Sequence, residues 1–144
     1  MGPRRKARQA VLEALYAYEI LECKDDADTI QEIWDHCSER YELGEKAGFF
    51  GENIFRTVLR NHITIDELIR RNLKNWQMSR VAIIDLNILR IGVCEITFFP
   101  EIPRKVTIDE SIELAKRYST KDSSRFVNGV LDNITEESFD KLRE

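Results

Sequence analysis

A cluster of basic residues at the start of the chain is the first place where this sequence could do chemistry. Arg4, Arg5, Lys6 and Arg8 place four positive charges in the first eight residues, although the whole chain has a formal net charge of −4 at pH 7. This asymmetry indicates a local anionic partner, and it repels phosphate from the rest of the surface. A basic run that only keeps a frayed chain end in solution explains the charges about equally well.

Tyr16 extends the basic cluster along one face of a predicted helix. Eleven residues make close to three helical turns, so Arg5 and Tyr16 lie within about 20° of each other around the helix axis. Their face points away from the apolar stripe that contains Ala7 and Val11, and Leu12 lies near it. Phosphate-binding charge at one end and an amphipathic aromatic ring at the other are typical of surfaces that bind single-stranded RNA.

A second candidate lies near the end of the chain, in the segment Lys121–Leu131. Phe126 falls about a quarter turn from the centre of the predicted buried stripe, which makes it a boundary residue. Beside Arg125, its ring could stack on a base. Spacing alone favours a ring at the rim of the core by about two to one. Gly129, inside the same predicted helix, indicates close approach of another helix there.

Residue patterns typical of enzymes and metalloproteins do not occur at the required spacing. The sequence holds no paired catalytic carboxylates, no nucleophile with a base, and no phosphate-binding glycine loop or dinucleotide fingerprint. His36 and His62 are the only histidines, and they are far apart. We therefore expect no catalytic residue, no metal and no cofactor, and we do not expect an enzyme.

The three cysteines indicate a reducing compartment. Cys23, Cys37 and Cys94 are widely separated, so they match none of the close pairs that zinc sites use and cannot form a complete set of disulfides. We expect reduced thiols in a cytoplasmic protein. No apolar run approaches the length of a membrane span, and no apolar signal core follows the basic N-terminus.

The hydrophobic periodicity predicts an all-α protein of about seven helices. We expect one domain over residues 1–144, with two small bundles as subdomains, 1–77 and 78–144. The predicted helices run from Arg4 to about Glu22, from a cap at Asp28 or Thr29 onward, from about Phe49 to His62, from Thr64, from Ser79 to Thr97, from Thr107, and from about Lys121 to Ile134.

Two of these predicted helices begin with the same four residues. Thr64–Glu67 and Thr107–Glu110 have the spacing of a capping box, in which a hydroxyl and a carboxylate bind the free backbone donors of a helix start. The helix between them is apolar on most sides, which predicts a central position. Asp85 is one of its few charged residues, so it is a candidate for a special role.

The chain resembles the NusB family of transcription antitermination factors in four collinear segments between about Arg4 and Ile134. These segments read RRKARQAVLEALYAYEI, ILRIGVCEI, KVTIDESIELAKRYS and KDSSRFVNGVLDNI. The resemblance implies an all-helical fold of two subdomains. It also implies binding to the boxA element of ribosomal RNA leader transcripts together with NusE, a ribosomal protein. With other Nus factors in the elongation complex, such an assembly helps RNA polymerase pass terminators.

The resemblance also implies roles for individual residues. The implied RNA-binding residues are Arg4, Arg5, Lys6, Arg8, Tyr16, Lys121, Arg125 and Phe126. The implied partner-binding residues are Tyr16, Asp85 and Asp122. The region from Cys23 to Phe50 matches the family only weakly.

Two other functions stay open from the residues alone. Some ribosomal RNA cytosine methyltransferases begin with a NusB-like RNA-binding module, and this chain could be such a module. A scaffold that acts only through protein contacts, as a homodimer joined by the Leu12 and Tyr16 face, would also fit the sequence.

Overall fold

The helical periodicity of the sequence appears as eight α-helices in the computed structural model, which describes residues 2–22, 25–74 and 77–142. The helices are α1 (Pro3–Ile20), α2 (Ala27–Arg40), α3 (Glu45–Arg60), α4 (His62–Arg71), α5 (Ile83–Phe98), α6 (Arg104–Tyr118), α7 (Ser123–Leu131) and α8 (Ser138–Leu142), with a short 3-10 helix at Met78–Arg80. No strand occurs in these described ranges, so the predicted all-α class is confirmed. Cys23 lies outside them.

The chain folds into two compact units, Met1–Thr57 and Val58–Glu144. This boundary lies within α3, earlier than the boundary predicted near residue 78. The difference has a physical cause in α4, whose apolar side chains are buried and whose neighbours are in the second unit. Asp66 of α4 accepts hydrogen bonds from the guanidinium of Arg90 in α5, at 2.8 Å from its Nε.

Unit 1 is built where α1, α2 and the first part of α3 pack together. Trp34 and Phe55 stack with their ring centroids 5.8 Å apart, and both are almost fully buried. Gly51 makes this packing possible, because a Cβ at that position would lie 2.5 Å from a ring carbon of Trp34 and 3.4 Å from the Cβ of Ala7. The glycine therefore lets the backbone of α3 come close to α1 and α2.

Unit 2 is built around α5, which contacts α4, α6 and α7. Its residues from Asp85 to Ile96 are almost all buried, which confirms the central position predicted for this helix within its unit. None of the described helices in either unit is both apolar enough and long enough to span a bilayer.

The capping box predicted at Thr64 is wrong. The helix already begins at His62, so Thr64 lies inside its first turn. A capping hydroxyl must precede the helix to accept from its free backbone N–H groups, and the Thr64 hydroxyl is not in that position. Glu67 has other partners, because Arg70 and Arg71 donate to its carboxylate at 2.9 Å and 3.0 Å. These hydrogen bonds lower the pKa of Glu67 to about 2, with the bond from Arg70 as the largest cause.

The capping box predicted at Thr107 is also wrong, for a different reason. The helix begins at Arg104 after Pro103, and Thr107 is fully buried. Its hydroxyl donates to the buried carboxylate of Glu95 at 3.1 Å. A tertiary partner has therefore taken the hydroxyl that the local pattern assigned to the backbone.

Two other predicted helix starts are displaced by a few residues. The N-cap of α2 is Asp26, whose carboxylate accepts from the backbone N–H of Asp28 at 3.2 Å and from the Thr29 hydroxyl at 2.8 Å. The residues predicted as caps thus donate to the cap instead. The third helix begins at Glu45, before the predicted start near Phe49.

Candidate nucleic-acid interface

The first helix carries an exposed cationic surface at its N-terminal end. We call Arg4, Arg5, Lys6 and Tyr16 the α1 surface; Arg4 is exposed, and Arg5 and Lys6 are partly exposed. Pro3 occupies the first turn, and no acidic residue is present there to complement the helix dipole. Positive charge at this end costs about 0.3–1 kcal/mol, so an anion from outside the helix would be favoured here.

Phe50 of α3 organises two of the basic side chains. The guanidinium carbon of Arg4 lies 4.4 Å from the centroid of the Phe50 ring, and that of Arg8 lies 5.2 Å from it. Arg8 is only 3% exposed, whereas Arg4 remains open to solvent. Arg8 therefore packs within unit 1 as support for the ring. Phe50 is not among the site residues predicted from the sequence, although it stands in an aromatic pair between two glycines.

Tyr16 lies further along α1 and is 44% exposed. Leu12, its neighbour on the same face, is only 6% exposed. The homodimer alternative named both residues as its contact face, but only Tyr16 offers a large open surface there. The exposed tyrosine ring combines an apolar body with a hydroxyl, which suits either a base or a protein partner.

The start of α7 forms the second surface, which lies in unit 2. We call Arg80, Lys121, Asp122, Arg125 and Phe126 the α7 surface. Lys121, Asp122 and Arg125 are exposed, and Phe126 is half-buried, so its predicted boundary position is confirmed. Phe126 lines a shallow depression of about 320 Å³ together with Arg80 and Asp122. Arg80 was not predicted as a site residue, because it stands outside the segment from Lys121 to Leu131.

A buried hydrogen-bonded cluster fixes the turn that carries this surface. Asp85 of α5 is 8% exposed, and its two oxygens accept from the hydroxyls of Ser119, at 2.6 Å, and Ser123, at 2.8 Å. Thr120 lies 2.9 Å from the Ser123 hydroxyl. Because Ser119 is the C-cap of α6 and Ser123 begins α7, the carboxylate ties both ends of the turn to α5. Each carboxylate oxygen of Asp85 thus already accepts a hydrogen bond from its own chain.

The prediction of close helix approach at Gly129 is wrong. A Cβ at this position would meet nothing within 4 Å, and the residue is exposed. The close approach in this unit occurs at Gly92 of α5, where a Cβ would lie 2.7 Å from the side chain of Leu131 and 3.1 Å from the Ser111 hydroxyl.

Metal-ligating groups and thiols add nothing to these surfaces. Among the described residues, no group of three or more His, Cys, Asp or Glu side chains is arranged to hold a metal ion. Cys37 is a buried thiol, and burial, followed by the nearby charge of Glu13, raises its pKa to about 11. Burial also raises the pKa of Cys94. Both thiols therefore stay protonated at neutral pH.

Comparison with known proteins gives consistent matches over almost the whole chain. The sequence model of the NusB family matches residues 5–136. A transcription antitermination protein NusB from Salinibacter ruber is 41% identical over 145 residues, which cover 99% of this chain and 87% of that protein.

Solved structures agree with this result. The structure of NusB from T. maritima is 39% identical and superposes with a TM-score of 0.81, over 95% of this chain and 93% of that one. A structure of antitermination factors NusB and NusE in complex with double-stranded RNA superposes with a TM-score of 0.80, over 92% of this chain and 95% of that one. Its identity of 24% limits that likeness to the fold.

Proposed function

This chain belongs to the NusB family of transcription antitermination proteins, and we propose that it acts in antitermination as a non-catalytic, cytoplasmic adaptor for RNA. In this proposal it binds the boxA element of a ribosomal RNA leader transcript together with NusE, within an elongation complex that contains other Nus factors. The observation that carries the proposal is the α1 surface, where solvent-accessible cations stand at a helix start without a single acidic residue in the first turn.

The two surfaces supply different parts of RNA recognition. On the α1 surface, Arg4, Arg5 and Lys6 neutralise phosphates, which gives affinity but little sequence preference. On the α7 surface, the half-buried ring of Phe126 stacks on an unpaired base, with Lys121 and Arg125 beside it for the flanking phosphates. Single-stranded RNA is suited to such a site because its bases can be turned outward.

NusE is the proposed protein partner, supported by the solved NusB complex that contains NusE and RNA. Tyr16 and Asp122 are exposed and can contact a partner directly. Asp85 acts indirectly in this proposal, because its carboxylate already holds the turn from Ser119 to Ser123 that carries Asp122.

Titration of the full chain with RNA tests the proposal. A fluorescent boxA oligonucleotide is titrated at two salt concentrations, with and without NusE, against an RNA of the same length and scrambled sequence. We expect tighter binding with NusE, preference for boxA, and weaker binding at higher salt. Absence of boxA binding both with and without NusE would refute the adaptor function.

Arg5→Ala tests the phosphate contact. Loss of one cation that neutralises a phosphate should weaken binding to both RNAs, and should make the negative slope of log K against log salt shallower by about 0.7. Lys105→Ala is the matched control, because Lys105 is an exposed cation on α6. If the two variants change the salt slope equally, the α1 surface does not bind phosphate.

A further inference from the structure

The first two turns of α3 present an aromatic and cationic edge, and two of its members, Lys46 and Phe49, have no role in the proposed site so far. Lys46, Phe49 and Phe50 have the spacing i, i+3 and i+4, which places them on one side of the helix. We call these three residues the α3 edge. Phe50 already carries Arg4 over its ring at 4.4 Å, so the α3 edge adjoins the α1 surface within the same unit.

Phe49 is the unusual member of this edge. Its side chain is 69% exposed, more than any other aromatic side chain among the described residues. It therefore contributes little to the core of unit 1, and its ring face is open to solvent. An open aromatic ring on a helix that also carries a lysine three positions earlier, Lys46, suits the binding of an unpaired base irrespective of its sequence.

A depression of about 430 Å³ connects the α3 edge to α1. Lys6 of α1 and Lys46 of α3 both line it, so each helix contributes one cation to the depression. Glu42 and Glu45 line it too. A strand that passes here would thus be attracted by Lys46 and repelled by its neighbour Glu45, so the two residues should affect binding in opposite directions.

From this geometry we propose that the α3 edge is a second RNA contact, which takes nucleotides that flank the boxA element. The inference rests on the proposed function. A phosphate lies between Lys6 and Lys46, and the adjoining base stacks on Phe49. The edge adds affinity for longer RNA without adding preference for a base, because stacking and phosphate contacts are largely indifferent to sequence.

Two RNAs test the proposal on the full chain with NusE. One is boxA alone, and the other is boxA extended by several nucleotides on both sides. Lys46→Gln and Phe49→Leu should each weaken binding of the extended RNA by about fivefold or more, near the lower end of what loss of one stacked base produces. Both should leave boxA alone within about twofold of the unchanged protein. Glu45→Gln should tighten binding of the extended RNA.

Controls separate this inference from the proposed function. Phe49→Tyr keeps the ring and should keep the affinity, and Lys105→Gln removes an exposed lysine on α6. If neither RNA binds the unchanged protein, the proposed function fails. If both RNAs bind and the α3 variants bind the extended RNA normally, this inference alone is refuted. If the variants instead weaken NusE binding in the absence of RNA, the edge is a protein contact and the inference is also refuted.

Discussion

The α1 surface and the α7 surface hold their functional side chains in opposite ways. On α1, several cations follow one another along a single helix, and the Phe50 ring packs against two of them, Arg4 and Arg8. On α7, one half-buried ring follows a turn that a buried carboxylate fixes through two serine hydroxyls. Charge attraction tolerates displacement, whereas stacking requires an oriented ring. We therefore expect damage beneath the α7 surface to cost both stability and binding.

Asp85→Ala is expected to have the largest effect. The change removes the carboxylate that accepts hydrogen bonds from the hydroxyls of Ser119 and Ser123. Hydrogen bonds to a charged group contribute about 1.5–3 kcal/mol each, so the free energy of unfolding should fall by about 3–6 kcal/mol. Urea unfolding measures the loss, and the RNA titration should show weaker binding.

Asp122→Asn is the control for this variant. Asp122 is exposed, and its side chain makes no capping hydrogen bond to α7. Its replacement should leave stability unchanged within about 0.5 kcal/mol. A similar stability for the variants at positions 85 and 122 would show that the buried cluster does not fix the turn.

Gly51→Ala breaks the packing beneath the α1 surface. The new Cβ would lie 2.5 Å from the Trp34 ring, which is almost fully buried and cannot move aside easily. We expect a loss of about 1–3 kcal/mol of stability. Gly48→Ala in the same helix is the control, because its Cβ would lie 3.6 Å from the nearest atom, Oγ of Ser38. If the two variants are equally stable, Gly51 is not required for this approach of helices.

Phe126→Ala separates binding from stability most clearly. Loss of a base-stacking ring should weaken boxA binding by about 1–3 kcal/mol, that is, by fivefold or more. Because the side chain is only half-buried, the cost in stability should be about 1 kcal/mol. A loss of several kcal/mol in stability with unchanged RNA affinity would assign Phe126 to the core instead.

The two surfaces also differ in how well the sequence predicts them. The face that Arg5 and Tyr16 share follows from helix periodicity, which is a local property, and so does the boundary position of Phe126. The partners that fix these side chains do not follow from it. Phe50 is distant in sequence from Arg4, and Ser119 and Ser123 are distant from Asp85, so only the tertiary fold brings them together.

The wrong predictions have the same origin. The pattern at Thr107 is a valid local cap signal, but the buried carboxylate of Glu95 competes for its hydroxyl. A glycine within a helix often marks close packing against a neighbour. Gly129 does not follow this rule, whereas Gly92 does, because the Leu131 side chain leaves no room for a Cβ there. Local signals thus predict the elements, whereas competition from distant residues decides the contacts.

Gly129→Ala gives the smallest expected effect and tests the open side of α7. Since a Cβ there would meet nothing within 4 Å, the substitution should raise stability by about 0.5–1 kcal/mol through helix propensity alone. Gly92→Ala should lower it, because its Cβ would lie 2.7 Å from Leu131. The Gly129→Ala variant should bind RNA with unchanged affinity, since the proposed contact is the ring of Phe126. A clear loss of affinity without loss of stability would mean that RNA or NusE approaches the α7 backbone itself, and the α7 surface would then extend beyond its first turn.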